Sequence, residues 1–361
     1  MEVLVCIRKK GDVLQDVQKE INTAKKIKVR SRPLAASLIL IGGVILLLFG
    51  MALAIAIGAK DIALPDVWNA VFHFDPNLTE HQIIRELRMP RVIGAAIVGA
   101  AFAVAGAIMQ GMTRNPLADT GLLGLNAGAG FALAICFAFF PGMSFLGLML
   151  YSFVGAGAGV GIVYGIGSRS KGGLTPIRLV LAGAAVSALF TALSEGVALY
   201  FKIGQDLAFW YAGGVAGTQW VQIQIVLPAV VIALLGAFAL SRSITLLSLG
   251  DDIATGLGQR TGLIRLFGVL IVLVLAGTAV SIVGSVGFVG LIIPHLTRKL
   301  VGVDYRWIIP CSAVLGSLLI VFADLAARTI NPPQETPIGA LVALIGVPFF
   351  LYLAVKERRS L

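Results

Sequence analysis

The chain has 361 residues, of which 58% are hydrophobic and only 13% carry a charge. Since an average soluble domain has about 25% charged residues, the composition excludes a soluble globular domain and predicts an all-α integral membrane protein. The formal net charge of +10 does not indicate a nucleic-acid partner, because the basic residues lie in loops between apolar runs, where they report membrane topology.

Motifs for enzymatic chemistry are missing from the sequence. The cysteines, Cys6, Cys136 and Cys311, have no CxxC spacing, so neither a disulfide framework nor a metal site follows. A G-x-x-x-x-G-K-[ST] phosphate loop does not occur, and the usual binding and hydrolysis of ATP is therefore excluded. We expect no catalytic residues, no metal and no cofactor, and any ATP coupling has to come from a partner chain.

Residues 1–33 form a polar tail with nine Lys and Arg residues. The tail lacks the apolar core of a signal peptide, and we predict that it stays in the cytoplasm. Val13, Val17 and Ile21 share one helical stripe, which is compatible with a short interfacial helix. A loose, partly helical tail is the alternative.

Apolar runs long enough to cross a bilayer, about 20 residues each, follow the tail and predict about ten transmembrane helices. A further segment, 205–217, is amphiphilic but too short to cross, and it is a candidate re-entrant helix. The predicted spans are Leu34–Gly58, Arg91–Met112, Thr120–Phe140, Phe145–Gly167, Ile177–Tyr200, Val221–Leu240, Ile264–Val283, Val286–Leu300, Trp307–Ala327 and Ile338–Val355.

The distribution of basic residues predicts the orientation of these spans. Ten spans place both termini on one side of the membrane. If that side is the cytoplasm, 22 of the 28 basic residues lie inside, as the positive-inside rule requires. The remaining basic residues lie outside and are Lys60, Arg85, Arg88, Arg91, Lys202 and Arg328.

A Pro-broken, Gly-rich stretch, Asn115–Gly130, lies between the second and third spans. Each unpaired backbone group in hydrocarbon costs several kcal/mol, so irregular backbone at membrane depth has to face protein or water. The stretch is therefore a candidate wall of a transport path. The predicted orientation places its polar turn at the cytoplasmic side.

A long polar loop, 241–263, follows the sixth span on the cytoplasmic side. Its glycines indicate two short helices joined around them, and Asp251 and Asp252 lie at a helix start, where negative charge is favoured. Such an ordered element is suited to docking a soluble protein. An ordinary connecting loop is the alternative.

Charged residues also lie at the outer ends of the spans. Asp324 and Arg328 are four residues apart on one helix face, where an acid and a base can pair. Arg88 and Arg91 flank Pro90 at the entry to the second span. These arginines either bind a partner or extend to the lipid headgroups.

Two features leave an ion-driven carrier open. Thr175-Pro176-Ile177 and Thr336-Pro337-Ile338 open two spans of opposite polarity, as an inverted repeat does. Glu195 lies within a span. A proton relay is disfavoured because acidic residues within the spans are few. An intramembrane enzyme is disfavoured because no His, Asp or metal-ligand cluster is present.

Several motifs together resemble the permeases of type II ABC importers for iron-siderophores, haem and cobalamin. They keep their order from about residue 34 to 355, and they include Arg88-Met89-Pro90-Arg91, Gly106-Ala107-Ile108-Met109-Gln110, Asn115-Pro116-Leu117-Ala118, Gly121-Leu122-Leu123-Gly124, Leu249-Gly250-Asp251, Leu257-Gly258, the run from Gly287 to His295, Ala323-Asp324 with Arg328, and Pro337-Ile338-Gly339. Met89 replaces the leucine more usual between the two arginines.

The resemblance implies a permease domain over 34–361 with about ten helices, and 241–263 as its cytoplasmic coupling loop. It implies a second permease subunit, identical or paralogous, two cytosolic ATPase subunits and an extracytoplasmic binding protein. By this resemblance, the binding protein docks at Arg88, Arg91 and Arg328, the cytoplasmic gate contains Asn115, Leu117 and Thr175, and the ATPase couples through Leu249, Gly250, Asp251, Asp252, Ala254, Gly256, Leu257 and Gly258.

We therefore predict a permease subunit that moves a ferric siderophore inward across the bacterial cytoplasmic membrane, with ATP hydrolysis on partner subunits and lipid around it. Cobalamin and haem are alternative substrates, since no residue in the sequence indicates which ligand is transported. An ion-coupled secondary transporter is the alternative mechanism.

Overall fold

The structure is a computed structural model that describes residues 31–58, 62–169, 175–332 and 334–358. Apart from its last three residues, the predicted tail lies outside this range. Within the described ranges, the chain forms helices and turns, and its only β pairing is an isolated bridge between Ser31 and Gly302. The all-α architecture predicted from composition is confirmed.

The helices are numbered α1 to α14 in chain order. A π-helical turn over Ile83–Arg88 leads into α4, and a 3-10 turn over Thr120–Leu123 leads into α5. The bounds are α1 Pro33–Ala56, α2 Leu64–Phe72, α3 Thr79–Gln82, α4 Met89–Thr113, α5 Leu125–Phe139, α6 Phe145–Arg169, α7 Pro176–Phe201, α8 Gly204–Ala212, α9 Trp220–Leu249, α10 Asp251–Gly256, α11 Thr261–Val283, α12 Val289–Val301, α13 Tyr305–Thr329 and α14 Ile338–Arg358.

Each of the ten predicted spans corresponds to one helix of the bundle. In the described part of the chain, seven helices are long and apolar enough to cross a membrane, namely α1, α4, α6, α7, α9, α11 and α13. α5 and the start of α14 are shorter apolar helices. α12 has only 13 residues, a rise of about 20 Å, against a hydrocarbon thickness of about 30 Å.

The predicted eighth span is shorter than expected because its start is not helical. Gly284 has φ of +78° and ends α11, and Phe288, at φ +68°, precedes α12. Irregular backbone is tolerated at this depth because it lies against protein. Gly284 packs on the last turn of α8, where a methyl group at Gly284 would overlap the Trp210 carbonyl.

α4 forms the centre of the bundle and is buried along most of its length. Its most extensive partner is the antiparallel α13. Gly99 faces Gly316 near the middle, and the ideal Cβ position of Gly111 lies 2.9 Å from the Tyr305 hydroxyl at the other end. Small residues let these backbones approach, which replaces the hydrophobic driving force that lipid does not provide.

The cytoplasmic loop differs from its predicted form. α9 continues to Leu249, nine residues beyond the predicted end of the sixth span, and a single short helix, α10, follows it. The helix continues because Ser241 and Thr245 lie on its buried face. There the Thr245 hydroxyl accepts a hydrogen bond from the backbone N–H of Tyr305, 3.0 Å away.

The bundle therefore has two polar ends. We call the end where α4 begins beside Asp324 the Asp324 end, and the end where α4 reaches α10 the Asp251 end. The nine-residue α8 lies at the Asp324 end, where the N–H of Gly214 donates to the Val283 carbonyl over 2.8 Å. The prediction of a segment too short to cross is confirmed there.

Candidate functional site

Five charged residues meet at the Asp324 end, and we call them the arginine cluster: Arg88, Arg91, Asp324, Arg328 and Glu335. Arg91, in the first turn of α4, donates to Asp324 through Nε at 2.9 Å and Nη2 at 2.8 Å. Its Nη1 donates to Glu335, in the α13–α14 connection, at 2.6 Å. Arg328 Nη2 lies 3.0 Å from Asp324, which confirms the predicted pair one turn apart on α13.

Two of these arginines also bind the end of α1. Arg88 Nη1 donates to the carbonyls of Ile55 and Ala56, at 2.6 and 2.9 Å, and Arg328 Nη2 donates to the Ala54 carbonyl at 3.0 Å. The last carbonyls of a helix lack partners within it and carry partial negative charge. The cluster therefore fastens the ends of α1, α4 and α13 together.

The arginines are largely buried in this structure. The side chain of Asp324 is 1% exposed, and those of Arg91 and Arg328 are 11% and 7% exposed. Glu335 is the open member of the cluster, with 45% of its side chain exposed. A partner that approaches from outside the bundle meets Glu335 before it meets Arg91.

A cavity of about 510 Å³ lies beside the cluster, between α5, α6, α8, the end of α11 and the start of α14. Arg91 and Glu335 form part of its wall, and Phe137, Phe145 and Trp210 form much of the rest. The guanidinium of Arg91 is already occupied by Asp324 and Glu335. The cavity is therefore mainly an apolar space at the Asp324 end.

The predicted gate residues Asn115 and Leu117 lie in the turn that follows α4, which we call the gate turn, 114–119. Arg114 ends α4 with φ of +54°. The Asn115 side chain accepts a hydrogen bond from the Leu117 N–H at 2.9 Å, and the Asn115 carbonyl accepts one from Ala118 at 3.1 Å. These local bonds shape the turn without help from a regular element.

The gate turn reaches α7 through the 3-10 turn that follows it. The backbone of Leu122 packs directly on Gly183, where a methyl group would overlap the Leu122 carbonyl. Thr175 caps α7 by accepting from the Arg178 N–H at 3.4 Å. In the described part of the chain, no hydrogen bond or ion pair joins Thr175 to Asn115 or Leu117.

The predicted coupling residues surround α10, which has an inner and an outer face. Asp251 and the fully buried Ala254 lie on the inner face. Leu249, Ile253 and Leu257 are exposed and follow one another at helical spacing, and Asp252 is exposed beside them. Positive φ angles at Gly250 and Gly258 let the chain turn before and after the helix. The outer face is an apolar stripe at the polar end of a membrane protein.

Ion pairs form at the first residue of α10 and at the N-cap of α13. Asp251 accepts from Arg265 of α11 at 2.7 Å and lies 3.6 Å from Arg114 of the gate turn. At the start of α13, burial raises the pKa of Asp304, but its hydrogen bonds with Arg306 and the charge of Arg306 outweigh burial, so its pKa is lowered overall.

A buried polar contact connects α4 to α12. Pro294 has no N–H, so the Gly290 carbonyl, four residues earlier, loses its intrahelical donor. Gln110 Nε2 donates to the carbonyls of Gly290 and Leu291, each at 3.2 Å, and its oxygen accepts from Arg298. Gln110 therefore compensates for the proline in α12.

A match to the FecCD transport family extends over residues 46–356, which covers nearly the whole of the bundle from α1 to α14. The chain belongs to the FecCD transport family. The predicted resemblance to permeases of this type is confirmed, and the protein is a transport component rather than an enzyme.

Relatives in this family resemble the chain over its length. It is 56% identical over 362 residues to the iron(3+)-hydroxamate import system permease protein FhuB of Bacillus subtilis (strain 168), covering 100% of this chain and 94% of the relative. The chain is 39% identical over 320 residues to the ferric enterobactin transport system permease protein FepD of Escherichia coli (strain K12), covering 88% of this chain and 95% of the relative. The chain is 37% identical over 334 residues to the hemin transport system permease protein HmuU of Yersinia pestis, covering 89% of this chain and 97% of the relative.

A solved structure confirms the FecCD architecture. An inward-facing conformation of a metal-chelate type ABC transporter superposes with a TM-score of 0.78 at 29% identity, covering 88% of this chain and 99% of that chain. The ten-helix permease fold is therefore correct, and the FecCD chain is a multi-pass protein of the cytoplasmic membrane.

Sequence reasoning missed the residues that complete these sites in the FecCD bundle. Glu335 lies in a polar connection and Arg265 in an apolar span, and neither has a local pattern that reveals a distant partner. Gln110 belongs to the motif Gly106-Ala107-Ile108-Met109-Gln110, and Pro294 lies four residues after Gly290. A proline in an apolar helix is the signal that a donor from another helix is needed. Among the described residues, no group of three or more His, Cys, Asp or Glu side chains is placed to hold a metal.

Proposed function

We propose that this chain is the permease subunit of an ABC importer that moves a ferric siderophore of the hydroxamate type into the cell. The observation that carries this proposal is the 56% identity to the Bacillus subtilis iron(3+)-hydroxamate permease along the whole of this chain. The polar residues at the two ends of the bundle supply the contacts that such a subunit needs with soluble partners.

In this proposal, the Asp251 end faces the cytoplasm and both termini lie there. The charge distribution supports this orientation, since most basic residues then lie inside. Two cytosolic ATPase subunits act at α10, where exposed Ile253 and the flanking Leu249 and Leu257 are suited to bury against a soluble protein. A second permease, identical or paralogous, completes the path.

The extracytoplasmic binding protein docks on the Asp324 end, at Arg88, Arg91 and Arg328. Because Arg91 already binds Glu335, an acidic residue of the binding protein has to displace Glu335 to reach it. The substitution Glu335→Gln removes this internal competitor, and we expect several-fold tighter docking in nanodiscs, with Gln334→Glu as a charge-adding control nearby. Weaker docking by Glu335→Gln would contradict the role of Arg91.

The gate turn closes the path at the cytoplasmic side, together with the start of α7 at Thr175. The exposure of Arg114 and Asn115 at the Asp251 end, and the packing of the following 3-10 turn on Gly183 of α7, support this role. Replacement of Asn115 and Leu117 by alanine is expected to increase passive leak of the reconstituted complex. If the pair instead changed which siderophore is taken up and left leak unaltered, the assignment of the gate would be wrong.

The transport activity is tested by uptake of radioactive iron into proteoliposomes that contain the permease, its ATPase and its binding protein. We expect ATP-dependent uptake of a ferric hydroxamate, and much slower uptake of iron-labelled haem and of cobalamin, which is followed with radioactive cobalt instead. A variant ATPase that binds but does not hydrolyse ATP is the control. Uptake driven by an ion gradient without the ATPase would support the secondary transporter instead.

The substrate class has one specific alternative. The chain is 37% identical to a hemin permease, and the described residues at the cavity do not distinguish haem from a siderophore. Preferred uptake of haem in the same vesicles would overturn the hydroxamate assignment and leave the importer assignment intact.

A further inference from the structure

Among the ion pairs of the described residues, Asp251 is the acid that binds both the gate turn and the body of the bundle. Arg265 Nη2 of α11 donates to both of its oxygens, at 2.7 and 2.8 Å. Arg114 is the residue directly before Asn115, and its Nη2 lies 3.6 Å from Oδ2 of Asp251. Three elements, namely α10, α11 and the gate turn, therefore meet at a single carboxylate.

The two arginines hold Asp251 unequally. The Arg265 side chain is 8% exposed, and its contacts are at full hydrogen-bond distance. The Arg114 side chain is 42% exposed, and its contact with Asp251 is longer. An exposed pair at this distance is weak and screened by salt. The Arg114 contact is therefore the one that can be broken and remade while Asp251 stays bound to α11.

The position of Asp251 on α10 directs it away from the proposed ATPase surface. Asp251 and the buried Ala254 lie on the inner face, whereas Ile253 and Leu257 are exposed on the outer face. Gly250 brings the α9–α10 backbone close to Arg114, with its ideal Cβ position 3.7 Å from Nη1. A displacement of the outer face of α10 must therefore move the carboxylate relative to Arg114.

We propose that Asp251 is a positioning residue that transmits movement of α10 to the gate turn through its ion pair with Arg114. The inference rests on the proposed function, in which an ATPase acts on α10. In one arrangement Arg114 is held to Asp251 and the gate turn is fixed next to α10. When α10 is displaced, the weak contact breaks and the gate turn is released, while the Arg265 contact keeps α10 attached to α11.

The primary test uses Arg114→Gln in the complete reconstituted complex, because Arg114 is exposed and its replacement spares the buried Arg265 pair. The measurement is the number of siderophores transported per ATP hydrolysed, together with passive leak. We expect a several-fold lower ratio with the rate of ATP hydrolysis retained. Arg114→Lys is expected to restore the ratio, since a long ion pair needs charge rather than guanidinium geometry.

Arg306→Gln is the matched control. It also removes a half-exposed arginine that pairs with an aspartate, Asp304 at 2.7 Å, at the same end of the bundle but away from α10. Its transport ratio is expected to equal that of the unmodified complex. Raised salt is expected to lower the ratio of the unmodified complex by a larger factor than that of Arg114→Gln, because salt weakens docking of the binding protein in both but screens the Arg114 pair only in the unmodified complex.

A double-variant comparison tests whether the two residues act together. We expect Asp251→Asn combined with Arg114→Gln to be no worse than Asp251→Asn alone. Two results would overturn the inference while leaving the proposed function intact, provided that the unmodified complex shows ATP-driven uptake. One is an unaltered transport ratio and leak in Arg114→Gln. The other is a double variant whose loss equals the product of the losses of the two single variants. Failure of that uptake would overturn the proposed function itself, and this inference with it.

Discussion

At the scale of single residues, Asp324 is the buried acid of the arginine cluster. Its buried carboxylate binds Arg91 and Arg328, and those arginines also bind Glu335 and a carbonyl at the end of α1. A buried ion pair adds little net stability compared with apolar residues, but the loss of one member leaves the other charge without compensation. The cluster therefore adds little net stability, but removal of Asp324 destabilises the fold.

We predict that Asp324→Asn lowers the free energy of unfolding by about 3–5 kcal/mol, because the buried Arg328 then loses its ion pair and Arg91 keeps only its pair with the half-exposed Glu335. Unfolding in detergent by denaturant measures this change. The control is Glu335→Gln, whose half-exposed pair contributes about 1 kcal/mol or less. Equal losses for the two variants would show that Asp324 is not the centre of the cluster.

At the scale of elements, α12 depends on a donor from another helix. Pro294 frees the Gly290 carbonyl, and Gln110 of α4 binds it. In water such a carbonyl is solvated, but inside a membrane bundle an unbonded one is costly. The contact therefore holds the start of a short helix whose own hydrogen bonds are incomplete.

We predict that Gln110→Leu lowers the free energy of unfolding by about 1–3 kcal/mol, the cost of leaving a buried polar group unbonded. Thr113→Val is the control on the same helix, because the Thr113 hydroxyl donates only to the Met109 carbonyl of its own helix. Hydrogen exchange at α12 is expected to rise in Gln110→Leu alone. Comparable exchange in both variants would contradict the bridging role.

Close packing of α4 on α13 provides a second prediction at this scale. The ideal Cβ position of Gly99 lies 2.8 Å from the Ser317 Cα and overlaps the Gly316 backbone. Gly99→Ala should push the helices apart at a cost of about 1–3 kcal/mol. Gly161→Ala on α6 meets open space and should be neutral or slightly stabilising, since alanine favours helix. Thermal unfolding in detergent distinguishes them.

At the scale of the whole molecule, the bundle separates two polar ends by a wall of apolar helices. The Asp324 end holds its arginines internally, whereas the Asp251 end presents the apolar stripe of α10. The two ends therefore suit different partners, and the orientation decides which partner is cytosolic.

The orientation is testable by cysteine labelling in intact cells. Cys136 and Cys311 are buried, so Cys6→Ser provides a background with low labelling. We predict that Gln334→Cys reacts with an impermeant maleimide from outside, whereas Thr255→Cys reacts only after the membrane is opened. Both positions are exposed. The reverse pattern would invert the topology and both docking assignments.

Much of the helical architecture was predictable from patterns within single segments of the sequence. Runs of apolar residues indicate helices because a bilayer requires every backbone group to be bonded within the segment. The pair of Asp324 and Arg328 followed from the 3.6-residue repeat alone. In contrast, the end of α9 was placed too early, since Ser241 and Thr245 look like loop residues until their burial against α13 is known.

By itself, the sequence determined the membrane class, the order of the ten predicted spans, and the resemblance to a permease family, because these depend on composition, periodicity and local motifs. Only the tertiary structure decided which charges on different helices meet. Arg91 and Asp324 are 233 residues apart, and Arg265 and Asp251 are 14 apart on different helices. Such pairs depend on how helices pack, which is decided by close contacts such as Gly99 on Gly316 and by no pattern within one segment.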